Sequence, residues 1–258
     1  MNIKGKFGMI CGLDGVGKGE SIDAIAKLET DRGRIIFDVN IWWGTDLISL
    51  PLHDYNPRLD DFKDHNLLIT SEPTYAGIGR RIRTEYIRKN GRDYDPRLIA
   101  EAYALDRREL YQTTIIPARL SGIDILQSRG VVTSLVYQLL DIQERGGGKD
   151  IINEILDLPG NRLAMISAHA PTLLLIPTVE NVDSLAERLR ARTDKRDDAI
   201  FETVEFQRKL KGIYESVWLK ELFENVGTKV VYIDAGISVE HTRSEAIRVW
   251  KEHLGLNN

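Results

Sequence analysis

Apolar residues fall along this chain in two alternating patterns. Short, nearly unbroken apolar runs of strand length occur at Phe7-Gly8-Met9-Ile10-Cys11, Leu67-Leu68-Ile69-Thr70, Ile123-Asp124-Ile125-Leu126-Gln127, Thr172-Leu173-Leu174-Leu175-Ile176 and Lys229-Val230-Val231-Tyr232-Ile233, with a further strand expected in Arg34 to Trp43. Runs of this kind suit strands buried on both faces. Between them, apolar residues recur at helical spacing. Helices are expected over Ser21 to Leu28, Gly77 to Lys89, Pro96 to about Leu120 (proline near the first position), Val131 to about Arg145 and about Ile200 to Glu224. Asn181 can cap another helix running through Leu189, one or two short helices fit residues 149–168, and a last helix ends near Leu254. Strands alternating with helices predict an α/β fold of three layers, with about five parallel strands, six if every run counts, and helices on both faces. Residues 44–66 carry Pro51, Pro57, several aspartates and little periodicity. They read as a long loop or irregular insertion, either decorative or with a role at a site or interface, since loops of this length are uncommon.

Composition narrows the class. A length of 258 residues suffices for one sizeable domain with a large core. Charged residues make up 29% and the net charge is −4, which argues against a domain-wide nucleic-acid surface. Cys11 is the only cysteine, so no intramolecular disulfide forms and a reducing interior is expected. No apolar run reaches membrane-spanning length, and Met1 to Lys6 lacks the apolar core of a signal peptide. A cytoplasmic protein without a membrane partner is the expectation.

The chemistry concentrates in Gly12-Leu13-Asp14-Gly15-Val16-Gly17-Lys18-Gly19, between the first strand and the first helix. Glycines at 12, 15 and 17 let the backbone curl so that several N–H groups face one concavity, and the helix start adds unpaired donors. Lys18 brings a full positive charge. A phosphate-binding loop of this kind usually carries Ser or Thr directly after the lysine, where the hydroxyl meets magnesium. Here Gly19 and Glu20 follow, and Ser21 is the first hydroxyl; Glu20 and Ser21 are the candidate metal ligands.

Further candidates sit where strands end. Glu72 lies at a strand-to-loop junction, a place where ligands gather in parallel sheets, and either accepts from a hydroxyl, a base edge or an arginine or is a surface carboxylate before a proline turn. Tyr103 and Arg107, four apart on one helix face, can stack and hydrogen-bond a nucleobase, or form core edge and surface charge. Arg129 follows the fourth strand on the rim shared with the loop, and Ser134 and Tyr137 lie three apart on the next helix. Arg190 to Asp198 is densely charged and reads either as a solvated loop or as a flap whose arginines close over a phosphoryl group.

The order of these motifs resembles the P-loop nucleoside monophosphate kinases, and most closely the thymidylate kinase family. Gly-Leu-Asp-Gly-Val-Gly-Lys is similar to that family's opening motif, Glu72-Pro73 to its second-strand signature, and Tyr103-Ala104-Leu105-Asp106-Arg107 to its Phe-x-x-Asp-Arg helix. Ser128-Arg129-Gly130 with Ser134-Leu135-Val136-Tyr137-Gln138 resembles its Asp-Arg-Tyr-x-x-Ser-Ser-x-Ala-Tyr-Gln block, Arg190 to Glu202 its lid, and Ile233-Asp234-Ala235 its last strand end. The likeness spans nearly the whole chain as one domain, 1–258, with an insertion about 33–66 and a lid about 190–200. It implies a kinase moving the γ-phosphate of ATP, with Mg²⁺, to dTMP or a similar monophosphate. Lys18 and the loop amides would hold the ATP phosphates, with Asp234 and Ala235 near the adenine. Asp14 would lie near the acceptor sugar and the metal. Tyr103 would stack on thymine, Arg107 contact the base edge, Arg129 grip the acceptor phosphate, and Ser134 and Tyr137 line the nucleoside, with Tyr137 disfavouring a 2′-hydroxyl. Arg192 and Arg196 would be the lid arginines. A homodimer is also implied. The departures are Gly19, Glu20, Ser71, Ser128 and Gly130, which gather around metal and phosphates. They leave two alternatives: a nucleotide-binding protein impaired in catalysis, or a kinase of another nucleotide or nucleoside, since Glu72-Pro73 also resembles deoxynucleoside kinases.

Overall fold

The computed structural model describes residues 3–47, 49–147, 150–185 and 203–256. Six parallel strands form one sheet in the order β2-β3-β4-β1-β5-β6. They are β1 (Phe7–Ile10), β2 (Ile36–Asp38), β3 (Leu67–Ser71), β4 (Asp124–Ser128), β5 (Leu173–Thr178) and β6 (Lys229–Asp234). β1 is central, with Met9 opposite Gln127 of β4 and Leu174 of β5.

Alternation along β1 divides the core. Ile10 faces Leu126, Leu175 and the helices α1 (Lys18–Asp31) and, at the C-terminus, Val239–Leu254, through Ile22, Ile25, Val249 and Trp250. Phe7, Met9 and Cys11 face the opposite layer with Tyr111, Val131, Leu135 and Phe223. Helices therefore cover both faces, which is why the strands read as continuous apolar runs. Burial pushes the Cys11 thiol up to about 12, so it is a core residue.

The segment between β1 and β3 departs from expectation. Only Ile36–Asp38 of the expected strand over Arg34 to Trp43 is strand; the residues after it form helix α2 (Val39–Trp43). Asp38 makes the switch, its carboxylate accepting from the Asn40 N–H at 2.8 Å as an N-cap. Among the described residues of the 44–66 stretch there is one short helix, α3 (Leu59–Phe62), and the stretch is pinned by the fully buried Trp43 and Phe62.

After β3 the chain forms α4 (Gly77–Arg81), continued by one widened turn, Ile82–Tyr86, and then α5 (Pro96–Leu110), capped by Asp95. The expected helix to Lys89 thus ends three residues early. α5 runs through another widened turn, Tyr111–Ile115, into α6 (Ile116–Leu120). After β4 come α7 (Val131–Thr133), a widened turn Ser134–Gln138 and α8 (Leu139–Glu144), then α9 (Ile151–Asp157) and α10 (Pro159–Ala164). Gly160 lets α10 press against α5: a Cβ there would sit 1.7 Å from the Ala104 carbonyl oxygen. The single helix expected over Ile200 to Glu224 is two, α11 (Val204–Tyr214) and α12 (Val217–Glu224), separated because Ser216 caps the second through the Leu219 N–H. Val239–Leu254 is α13, capped by Ser238. Among the described residues no helix is long and apolar enough to cross a membrane.

Candidate active site

The loop after β1 closes at the C-terminal edge of the sheet. Gly15 and Gly17 take φ of 77° and 99°, the left-handed region that side chains disfavour, and Gly17 begins α1 as its N-cap. The Lys18 ammonium curls back over the loop, donating to the carbonyls of Gly12 at 3.0 Å and Leu13 at 2.6 Å. Gly19 stands in the first turn with open space around it.

Neither candidate metal ligand faces the concavity of the loop. The Ser21 hydroxyl is buried and donates to the Gly17 carbonyl at 3.0 Å, while Glu20 pairs with Arg243 of α13. Among the described residues no three His, Cys, Asp or Glu side chains gather as a metal site. Asp14 is the carboxylate the loop offers.

Asp14 is also the hub of the site. It accepts from the Arg129 guanidinium, from the Tyr137 hydroxyl at 3.0 Å and from the Gln207 amide at 3.2 Å, with Lys18 Nζ at 3.7 Å. Burial alone would raise its pKa, but Arg129 and Lys18 reverse this and hold it at about 2. Arg129 reaches Asp14 from a left-handed backbone, φ 65°, its N–H bonded to the Ile10 carbonyl and its guanidinium 5.6 Å from the Tyr137 ring centre. A non-glycine in this conformation costs about 1 kcal/mol or more and is tolerated where surroundings fix it. Gly130 has a steric cause: a Cβ there would lie 2.4 Å from the Met9 Cε.

A second cluster is buried behind this one. Arg107 has no exposed surface, forms an ion pair with Glu72 at 2.7 Å, and donates to Ser134 Oγ at 3.1 Å and to Asn161. Glu72 also accepts from Gln127 at 3.0 Å; burial raises its pKa, against the pull of Arg107. Of the partners open to Glu72, an arginine is the one it takes. Arg107 is committed inside the protein rather than presented at a surface, although among the described residues its Nε has no partner. Tyr103 is buried against Ile82 and Ile99, next to Ile78 and Tyr86. Asp106, beside it, accepts from both the N–H (2.8 Å) and the hydroxyl (2.7 Å) of Thr74.

The remaining candidates divide. Ser134 and Tyr137 join the two clusters from one widened turn. Asp234 lies at the end of β6, opposite Thr178, accepting from the Gly236 N–H at 2.7 Å, and Ala235 donates to the Thr178 carbonyl at 2.7 Å. α13 approaches the loop, with the Thr242 methyl 3.5 Å from a Cβ position on Gly17. Arg192 and Arg196 lie outside the described residues. Three residues had no assigned role. Gln207, 193 positions from Asp14, clamps it twice, accepting from its N–H at 3.0 Å as well as donating to its carboxylate. Asn161 anchors Arg107. Gln138 is buried, and among the described residues neither end of its amide is hydrogen-bonded; its place four residues after Ser134 was the available signal.

This arrangement has counterparts. The chain is 26% identical over 253 residues to a thymidylate kinase of Halalkalibacterium halodurans, covering 98% of this chain and 99% of that protein. It is 26% identical over 210 residues to the thymidylate kinase of Pediococcus pentosaceus, covering 81% and 92%. The chain is a phosphotransferase related to the thymidylate kinases. A thymidylate kinase structure from Candida albicans superposes with a TM-score of 0.62 over 98% of this chain and 95% of that one at 18% identity, which establishes the shared fold. No protein-family profile matches the chain.

Proposed function

We propose that the chain transfers the γ-phosphate of ATP to a nucleoside monophosphate, dTMP foremost. The observation that carries this reading is Asp14, which ties the phosphate loop to Arg129, Tyr137 and Gln207 at one point. The loop amides and Lys18 hold the donor phosphates, with Asp234 and Ala235 at the adenine end. Arg129, poised on Asp14, exchanges it for the acceptor phosphate. Tyr103 supplies an apolar ring for the base. The unpartnered Gln138 amide offers one donor and one acceptor to a base edge, and Arg107 backs it through Ser134. Tyr137, fixed by its bond to Asp14, packs beneath the sugar, and the role of neutralising the transferring phosphate falls to Arg192 and Arg196, outside the described residues. Phosphoryl transfer needs mainly positioning and neutralised charge, both of which this set provides.

The donor set suits magnesium held largely by phosphates and water, with Asp14 as the protein carboxylate. Bound there, the ion would neutralise charge on the β- and γ-phosphates. The missing hydroxyl at Gly19 and the serine at 128 favour a second reading, nucleotide binding without efficient turnover. A coupled ADP-release assay across the nucleoside monophosphates separates them. Turnover highest on dTMP is the expected result, and absence of turnover on all of them with magnesium present would overturn the kinase reading.

A further inference from the structure

Two features play no part in that chemistry: the insertion after α2 and the basic stretch 80–92. They meet at one place. Residues 80–92 hold Arg80, Arg81, Arg83, Arg88, Lys89 and Arg92 against a single acid, Glu85, in a chain whose net charge is −4. Glu85 is already taken by Arg92 and by the Tyr94 hydroxyl. Arg80 is spent on the insertion, donating to the carbonyls of Asp46 at 3.2 Å, Leu47 at 3.1 Å and Ser49. Arg83 is spent on the carbonyls of Pro73 and Thr74 and on the Tyr75 ring. Among the described residues, Arg88 donates only to the Arg83 carbonyl, at 3.4 Å through Nε, so its terminal nitrogens are uncommitted, and Lys89 is exposed with no carboxylate partner.

The insertion held down by Arg80 turns this stretch into a cleft. A cavity of about 450 Å³ opens between them, lined by Leu47, Thr84, Glu85, Arg88, Lys89, Asn90 and Arg92, with the Glu85 carboxylate held by Arg92 and the Tyr94 hydroxyl. That volume is in the small-molecule range. Lys18 and Arg129 do not line it. The walls offer guanidinium, ammonium, hydroxyl and amide groups, which together match the oxygens of a phosphate chain. We infer that this cleft is a second anion site, separate from the catalytic centre, that binds a di- or triphosphate chain, free or carried by a nucleotide.

Calorimetric titration of the full chain with inorganic tripolyphosphate tests this, using Arg88→Gln/Lys89→Gln and Lys18→Ala variants. Wild type should show two binding events. The double variant should lose one, weakened about tenfold or more, and keep its turnover; the single Lys89→Gln variant, at an exposed position, serves if the double variant folds poorly. Lys18→Ala should lose the other event. If the kinase reading fails, the event sensitive to residues 88 and 89 survives alone, so the two failures are distinguishable. Repeating the titration with ATP tells a bare phosphate chain from a nucleotide, tighter ATP binding assigning the base to the Leu47 wall. Binding unchanged in both the double variant and Lys89→Gln overturns the inference. So does a single-stranded oligonucleotide that displaces tripolyphosphate at lower concentration than tripolyphosphate itself requires.

Discussion

Asp14 is partly and Asp106 fully buried, yet their neighbours pull the two carboxyls in opposite directions. Asp14 faces two cations, whereas the burial of Asp106 outweighs its hydrogen bonds from Thr74 and the weaker pull of Arg107 and lifts it from 3.8 to about 7. Between those two values the folded protein keeps a proton on Asp106 that the unfolded chain has released. Stability should therefore be full below about pH 4 and fall as pH rises towards 7, with Glu72, also raised by burial, acting in the same sense. Asp14 does the reverse: its contribution is present above about pH 4 and lost only as pH falls towards 2. Asp106→Asn should flatten the slope of unfolding midpoint against pH between 4 and 7. The substitution fits, because Thr74 Oγ1 can donate to the Ala76 carbonyl at 3.0 Å and accept from the new amide. An unaltered slope would refute the assignment. Arg129 is the residue whose loss should be specific to the acceptor. Arg129→Ala should raise KM for the monophosphate about 10- to 100-fold while KM for ATP changes little, as steady-state kinetics with each substrate varied would show.

At the level of elements, two glycines that replace expected side chains have opposite causes. Gly130 begins α7 in contact with Met9 and cannot accept a side chain without displacing it. Gly130→Ala should cost about 1–3 kcal/mol in denaturant unfolding. Gly19, in the first turn of α1, has nothing near it, so serine there meets no obstacle. Gly19→Ser should stabilise by about 0.5 kcal/mol through helix propensity and raise magnesium-dependent turnover. Unchanged turnover would show that the missing hydroxyl does not limit the reaction. The sequence made such elements legible wherever the cue was local: proline at the start of α5 after Asp95, glycines in the loop, apolar runs in β1, β3, β4 and β5. It failed where one polar side chain redirected the chain, as Asp38 does before α2 and Ser216 before α12. The widened turns at Ile82–Tyr86, Tyr111–Ile115 and Ser134–Gln138 carry no local cue, and the last of them carries Ser134 and Tyr137 into the site.

For the whole molecule, the sheet order brings the ends of β1 and β4 side by side, so Asp14 and Arg129 meet although 115 positions separate them. The sequence supplied these residues through their strand ends, but the Gln207 clamp and the Asn161 anchor depend on helices packed from elsewhere, and no spacing records that. The same geometry separates the donor and acceptor halves enough for each to be read alone. A ligand at about 100 times its dissociation constant stabilises the folded state by about 2.7 kcal/mol, which for a chain of this size is a rise in melting temperature of about 5–10 °C. ATP and dTMP should each produce such a rise separately. Lys18→Ala should remove most of the ATP shift and spare the dTMP shift, because Lys18 serves the donor phosphates and touches the acceptor side only through Asp14. Arg129→Ala should do the converse. Differential scanning fluorimetry of the three proteins with each ligand decides it: if the two variants lose both shifts together, Asp14 couples the halves into one site and separate donor and acceptor seats are ruled out.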